Sequence, residues 1–196
     1  MNPLEIIQKY YPKESEAYKI LVKHSRCVAE KAIQIGRMHP EFNLDLQFIE
    51  EAAMLHDIGA FLCYAPEIGC YGEAAYICHG YLGADLLRKE GYPRHALVCE
   101  RHTGTGLSLE MIERFNLPVP RRELRPQSIE EQLICYADKF FSKTNLNREK
   151  PVEKILKSMA KYGEETVLQF EKWHHLFGLR ACLNFPQISI SNDFSP

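Results

Sequence analysis

The spacing of the apolar residues limits the fold of this sequence more than any other feature. One run places Ala17, Leu21, His24, Val28 and Ile35 three, four or seven residues apart. An α-helix turns once every ~3.6 residues, so such positions share one face, whereas a half-buried strand would alternate apolar and polar residues. The same spacing continues through almost the whole chain. The sequence therefore predicts an all-α fold.

The periodic runs predict a bundle of about seven to nine helices within a single helical domain at 1–178, followed by an irregular tail at 179–196. The 196 residues, 45% of them apolar, are enough for one domain with a substantial core. The expected helices lie at about 3–11, 14–38, 45–58, 80–90, 93–103, 108–116, 128–145, 151–161 and 164–176.

Several predicted helix ends carry a capping signal. Gly59, Gly91 and Gly104 each follow a periodic run, and glycine readily takes the left-handed conformation that ends a helix. Ser128 and Glu131 have the spacing of a capping box at a helix start. These residues predict where helices stop and begin.

Two stretches interrupt the helical pattern. Residues 60–79 contain Pro66, Gly69 and Gly72, and residues 116–127 contain several prolines and arginines. Loops of this length are uncommon in a compact domain unless they serve a site. The first stretch lies between two histidines of interest and is the candidate lid.

Charge and cysteine content exclude several classes of protein. Lys and Arg total 24 against 26 Asp and Glu, so the chain lacks the basic balance that nucleic acid or an anionic membrane surface favours. The seven cysteines include no C-x-x-C pair and are expected to be reduced. No leader peptide or membrane span is evident, which predicts a cytoplasmic protein.

Four histidines and two aspartates stand out as candidate ligands of a metal site: His24, His56, Asp57, His79, His102 and Asp138. The helix pattern brings them from about five segments, so they can meet only inside a bundle. A carboxylate on an apolar helix face is costly without a cation beside it, and a metal would supply one. Other roles remain open, since a lone histidine is often a hydrogen-bonded core residue or a helix cap. Asp138 could also form a salt bridge with Lys139.

The ordered series His, His-Asp, His, His, Asp, centred on His56-Asp57-Ile58-Gly59, resembles the HD superfamily of metal-dependent phosphohydrolases from His24 to about Lys143. The segments beginning at His79 and His102 look most like those of bacterial HD hydrolases that cleave diadenosine tetraphosphate. Ala60 stands where many signalling HD domains carry Lys, which argues against cleavage of cyclic dinucleotides.

The resemblance implies roles for the six residues. His24, His56, Asp57 and Asp138 would bind a first metal ion. His79 and His102 would bind a second ion, with Asp57 bridging the two, so that catalysis depends on Asp57, His79 and His102. Arg101, Thr103 and Lys139 adjoin these ligands and are candidates for holding phosphate oxygens.

Imidazole and carboxylate ligands suit Fe, Mn, Co, Ni or Zn better than Mg or Ca, so two divalent transition-metal ions are the expected cofactors. Such a pair lowers the pKa of a bridging water and gives hydroxide near neutral pH. The expected partner is a small phosphorylated substrate, such as a nucleotide, with neither nucleic acid nor membrane.

Two other functions fit the same ligand order. Diiron oxygenases related to myo-inositol oxygenase hold an iron pair with this ligand set and activate oxygen. An HD domain can also serve as a nucleotide-binding module without turnover. The presence of all six ligands favours an enzyme over the binding module.

Overall fold

The computed structural model describes residues 1–146 and 148–178, and these residues form nine α-helices. The helices are α1 (Pro3–Tyr10), α2 (Glu16–Met38), α3 (Leu46–Leu55), α4 (His79–Lys89), α5 (Pro93–Arg101), α6 (Leu109–Arg114), α7 (Ile129–Asp138), α8 (Val152–Met159) and α9 (Glu164–Phe177). The prediction of an all-α fold is confirmed. The predicted tail at 179–196 lies outside the described residues.

The only sheet among the described residues is a pair of two-residue strands within the stretch 60–79. Strand β1 (Tyr64–Ala65) pairs antiparallel with β2 (Cys70–Tyr71). Short 3-10 helices at Pro66–Ile68 and Tyr76–Cys78 complete the stretch. The predicted absence of an α-helix holds as far as Cys78, and His79 begins α4. The stretch is more regular than a plain loop. Residues 116–127 also lack an α-helix, and Leu124 forms an antiparallel bridge with Leu107.

Side-chain caps fix the starts of several helices. Ser15, Asp45, Ser108 and Ser128 each accept a hydrogen bond from the backbone N–H three residues later, which satisfies one otherwise unpaired donor. The capping box predicted at Ser128 forms only in part. The carboxylate of Glu131 accepts from the N–H of Gln127 rather than from that of Ser128.

The core lies where α2 packs against α3 and α7, with α4 and α5 packed on each other beside them. Its fully buried side chains include Val28, Ile49, Leu55, Leu133 and Ile134. The buried cluster extends from Ile6 to Phe177. Every described helix is either too short or too polar to cross a membrane.

Two predicted helices end earlier than expected. Helix α3 was expected to run to residue 58 but ends at Leu55, after which residues 58–62 tighten into a 3-10 helix. Helix α7 was expected to run to residue 145 but ends at Asp138. Beyond Asp138 the chain turns, with the N–H of Phe141 donating to the carbonyl oxygen of Asp138 over 3.1 Å, and Ser142 forms an antiparallel bridge with Asn145.

The predicted left-handed conformation is confirmed for Gly91 and Gly104, with φ of 85° and 62°, and is wrong for Gly59. Gly59 serves a close approach instead. A Cβ there would lie 2.2 Å from the carbonyl oxygen of His79 and 2.4 Å from the backbone nitrogen of Gly83. Glycine thus lets the chain after Asp57 pack directly on the backbone of α4.

Candidate metal centre

The six candidate ligands converge on one buried centre. His24 lies on α2, His79 is the first residue of α4, and Asp138 is the last residue of α7. His56 and His102 are the residues that cap the carboxyl ends of α3 and α5. The five segments predicted from the sequence therefore meet, because each presents its side chain from a helix or a helix end that faces the core.

Asp57 divides the centre into two groups of donor atoms. Its Oδ2 lies 3.2 Å from Nε2 of His24 and 2.9 Å from Nε2 of His56. Its Oδ1 lies 3.2 Å from Nε2 of His79 and 3.3 Å from Nε2 of His102. Each carboxylate oxygen thus faces a different pair of imidazoles, which is the arrangement that a bridging ligand requires.

Asp138 completes the first group. Its Oδ1 lies 3.0 Å from Nε2 of His24 and 3.5 Å from Nε2 of His56. The potential ligand atoms of each group all lie within 4.8 Å of one another. The first group therefore offers two imidazoles and two carboxylates, and the second offers two imidazoles and the shared carboxylate.

Backbone carbonyls fix the orientation of three of the imidazoles. Nδ1 of His56, His79 and His102 lies 2.6, 2.6 and 2.7 Å, respectively, from the carbonyl oxygen three residues earlier. A carbonyl only accepts, so Nδ1–H donates, and a neutral ring then presents the lone pair of Nε2 to the centre. This is the tautomer that a metal ligand needs.

The unpaired buried atoms fit a metal site. Nε2 of His24, Nε2 of His56 and Oδ1 of Asp57 are buried and have no hydrogen-bond partner among the described residues. Buried polar atoms without partners are costly and rare. Nitrogen and oxygen donors in this number suit divalent transition-metal ions.

The surroundings set the protonation of the donors without an ion. Burial lowers the pKa of His102 to about 4, so that ring is neutral. Burial also lowers the pKa of His56, but the carboxylates of Asp57 and Asp138 outweigh it and raise that pKa to about 9. Burial raises the pKa of Asp57, whereas His56 and Lys143 hold it well below its ordinary value. A bound cation would take the place of the proton on His56.

Two lysines lie beside the carboxylates. Nζ of Lys139 lies 2.8 Å from Oδ2 of Asp138, so the predicted alternative of a salt bridge exists together with the donor cluster. Nζ of Lys143 lies 2.6 Å from Oδ2 of Asp57. Sequence reasoning missed Lys143 because a helix continued to residue 145 would turn it about 140° away from Asp138. Because α7 ends at Asp138, Lys143 lies beside the centre instead.

Cys99 connects the two donor groups through α5. Its thiol donates to the carbonyl oxygen of His56 over 2.9 Å, and its own carbonyl accepts from Nδ1 of His102 over 2.7 Å. The side chain is fully buried, and burial raises the pKa of its thiol well above the usual value. Cys99 therefore has a structural role, consistent with a reduced, inert thiol. The six cysteines within the described residues are all free.

A cavity of about 350 Å³ opens onto the centre. His79, His102 and Asp138 line it together with Lys139 and Lys143. Its walls are mostly apolar, formed by Tyr76, Ile77, Leu107, Met111, Met159 and Tyr162. We call it the apolar cavity.

The three residues predicted to hold phosphate lie in different surroundings. Thr103 and Lys139 line the apolar cavity. Arg101 is not among its lining residues, and its guanidinium lies 2.9 Å from the carboxylate of Glu131. Because Arg101 directly precedes His102 at the end of α5, its side chain points about 100° away from that of His102.

The candidate lid contributes one aromatic side chain to the centre. Tyr76, near the end of the stretch 60–79, stacks on the ring of His79 with centroids 4.6 Å apart and 18° between the planes. Sequence reasoning missed this residue, although its place three positions before His79 on a turn was a usable signal. Tyr76 limits how the ring of His79 can turn.

Comparison with known proteins places these residues within a described family. The family described as HD domain matches residues 21–143, which include all six converging residues. No solved structure matches the chain.

Three curated relatives resemble the chain. A tRNA (cytidine(56)-2'-O)-methyltransferase of Thermoplasma volcanium is 31% identical over 140 residues, covering 71% of this chain and 35% of the relative. The enzyme of the same name from Picrophilus torridus is 28% identical, covering 68% of this chain and 38% of the relative. An uncharacterised protein of Methanocaldococcus jannaschii is 27% identical over 145 residues, covering 72% of this chain and 78% of that protein. The chain thus spans little more than a third of each methyltransferase.

Proposed function

Because this chain belongs to the HD domain family, we propose that it is a metal-dependent phosphohydrolase that cleaves a phosphoester or phosphoanhydride of a nucleotide or other small phosphorylated metabolite. The proposal depends on the position of Asp57, because its two carboxylate oxygens face separate pairs of imidazoles. This geometry suits two ions held side by side.

The chain's own residues divide the work of such a reaction. A pair of divalent ions, when bound, lowers the pKa of a shared water and polarises phosphoryl oxygens. Asp57 would offset positive charge in both positions, and Asp138 would do so in the first. The imidazoles are held in place by backbone carbonyls, so little rearrangement is needed on binding. Lys139 and Lys143 would hold oxygens of the phosphate.

The apolar cavity supports a nucleotide-like substrate. Donors of the centre and two ammonium groups line it, which suits a phosphate, and its aromatic and aliphatic side chains suit a flat organic group. Its volume of about 350 Å³ is near the lower end of the range of ~300–1,000 Å³ for small-ligand pockets. A small metabolite fits this space better than a polymer.

The two lysines favour phosphate chemistry over oxygen activation. A diiron oxygenase would use the same six donors, so the donors do not separate the two reactions. Lys139 and Lys143 each lie within 3 Å of a carboxylate of the centre, at 2.8 and 2.6 Å. Ammonium groups in that position favour an anionic substrate, whose charge increases during attack on phosphorus.

The names of the two methyltransferase relatives describe methyl transfer to a tRNA nucleotide. The chain spans little more than a third of each, so those names do not bear directly on the chemistry of this chain. The proposal depends instead on the donor cluster and the cavity.

A substrate panel tests the proposal. Nucleoside mono-, di- and polyphosphates are incubated with the protein loaded with Fe, Mn, Co, Ni or Zn, and released phosphate and oxygen uptake are both measured. We expect phosphate release with at least one metal and none from Asp57→Asn prepared in parallel. Oxygen consumption without phosphate release across the panel would support the oxygenase and contradict the proposal.

A further inference from the structure

A second cavity of about 260 Å³ reaches the same centre from the side of His24. It shares four lining residues with the apolar cavity, namely Tyr76, Asp138, Lys139 and Lys143. The apolar cavity reaches His79 and His102 instead. The two cavities therefore share one wall at the centre, formed by these four residues. We call the second one the lysine cavity.

The lysine cavity differs from its neighbour in charge and polarity. Lys150 joins Lys139 and Lys143 in its lining, and the hydroxyl groups of Ser142 and Thr144 also line it. Among the described residues, its one acidic lining residue apart from Asp138 is Glu67, which is exposed to solvent. Three ammonium groups and two hydroxyl groups around a small space are suited to an anion.

Of the three lysines that line the lysine cavity, Lys150 is the one without a carboxylate partner among the described residues. Its backbone N–H bonds the carbonyl oxygen of Phe140 over 2.7 Å, which holds it beside the end of α7. Lys139 and Lys143 have carboxylate partners among the described residues, whereas Lys150 has none. Burial lowers the pKa of Lys150, and the ammonium groups of Lys139 and Lys143 lower it further, although Asp138 raises it. A partly buried cation of this kind is stabilised by an anion beside it.

Metal binding would increase this excess of positive charge. Asp57 and Asp138 now face Lys143 and Lys139, respectively, and the same carboxylates are candidate ligands. Cations bound by those carboxylates would neutralise the negative charge that now compensates the two lysines. The loaded centre would then present three lysines to whatever enters the lysine cavity.

We infer that Lys150, beside the two lysines proposed to hold the attacked phosphate, forms an anion subsite for a second phosphate group, so that the substrate carries at least two phosphate groups. This inference rests on the proposed function for the identity of the attacked group. The attacked phosphate lies at the centre, and the second phosphate lies beside it in the lysine cavity.

Binding measurements test the subsite without turnover. Inorganic phosphate and pyrophosphate are titrated into the metal-loaded protein, and its metal content is measured afterwards to show that the ions stay bound. We expect the parent to prefer pyrophosphate, and Lys150→Gln to reduce that preference about tenfold, because one charge-assisted hydrogen bond is lost. Lys150→Arg keeps the charge and should retain most of the preference.

The matched control is Lys154→Gln, which removes the same charge from an exposed lysine of α8 that lines neither cavity. It should leave the preference unchanged. Equal affinity of the parent for the two anions, or an equal preference in the parent and Lys150→Gln, overturns the subsite.

Turnover separates this inference from the proposed function. A nucleoside diphosphate and the matching monophosphate are compared as substrates. The kcat/KM for the diphosphate divided by that for the monophosphate should fall about tenfold in Lys150→Gln. A preference for pyrophosphate that depends on Lys150, found without hydrolysis of any nucleotide, would refute nucleotide hydrolysis and leave the subsite as an anion site. Hydrolysis with the same ratio of kcat/KM values in the parent and in Lys150→Gln would refute the subsite alone.

Discussion

One carboxylate, that of Asp57, faces both groups of imidazoles, and this determines what its replacement should do. Asp57→Asn keeps the size of the side chain and one oxygen but removes the charge that makes bridging favourable. We expect metal content to fall below one ion per chain and phosphate release to fall more than about 100-fold, since even partners of ligands often contribute 10–100-fold. Elemental analysis with a phosphate assay measures both. Two ions per chain at the parent rate would contradict a bridging role.

His79 belongs only to the second donor group, so its loss should have a narrower effect. We expect His79→Ala to keep one ion per chain, because the first group retains two imidazoles and two carboxylates. Activity should still fall steeply. His175→Ala, an exposed histidine of α9, is the control and should retain two ions. Loss of both ions from His79→Ala would show that the two positions fill only together.

At this scale the sequence predicts the donors better than their neighbours. The six donors stand out because histidine and aspartate are unusual on apolar helix faces. Lys143 and Tyr76 did not stand out, since a lysine after a helix and a tyrosine in a loop are ordinary residues there. Their positions depend on how the chain turns after Asp138 and before His79, which tertiary packing decides.

Among the secondary-structure elements, the contact between residue 59 and α4 holds the His56-Asp57 turn against the helix that carries His79. Gly59→Ala would place a Cβ 2.2 Å from a backbone oxygen that cannot turn aside. We expect a loss of about 3 kcal/mol in the free energy of unfolding, measured with urea, and a lower metal content. Gly163→Ala has open space but a φ of +114°, so it should cost only about 1–2 kcal/mol. Equal losses in the two variants would mean that the close approach is unimportant.

The start of α3 gives a prediction about pH. Asp45 accepts from the N–H of Phe48 over 3.0 Å and pairs with Arg94 over 2.7 Å, and these contacts lower its pKa. A lowered carboxyl pKa adds stability above the unfolded value of ~3.9 and loses it as the pH falls through the folded value. Asp45→Ala should therefore cost about 1 kcal/mol at pH 7 and much less at pH 3. Unfolding curves at both pH values measure this difference.

Asp45→Asn is the matched variant for that experiment. Asparagine is as good a helix cap as aspartate, and its acceptor does not titrate in this range. Its free energy of unfolding should change less between pH 7 and pH 3 than that of the parent. A cost of Asp45→Ala that stays constant over this range would assign the effect to something other than the charged cap.

Helices were easier to predict than their ends. The apolar period reports which residues face the core, and all nine predicted helices exist within the described residues. The apolar period does not report where a helix gives way to a turn, as it does after Asp138. Nor does it show whether a glycine serves a turn or a contact, as at Gly59. Both depend on neighbours distant in sequence.

For the whole molecule, we expect the fold to survive removal of metal. The core extends from Ile6 to Phe177, and a chain of this size buries enough apolar surface to fold without an ion. Ions at 100 times their dissociation constant would add about 2.7 kcal/mol, so a chelator should lower Tm by roughly 5–10 °C. Circular dichroism at 25 °C should be unchanged by the chelator. Unfolding at that temperature would show that the ions are structural.

The backbone carbonyls that orient three of the imidazoles have a consequence for the descent of such proteins. Because the helices themselves hold the rings, a lineage in which one donor is replaced would inherit the same architecture and the same two cavities. The ability to recognise a ligand could then outlive the chemistry, and descendants could become sensors or carriers of what their ancestors consumed. On the proposed function, catalysis is a trait that can be lost one residue at a time while the shape is passed on.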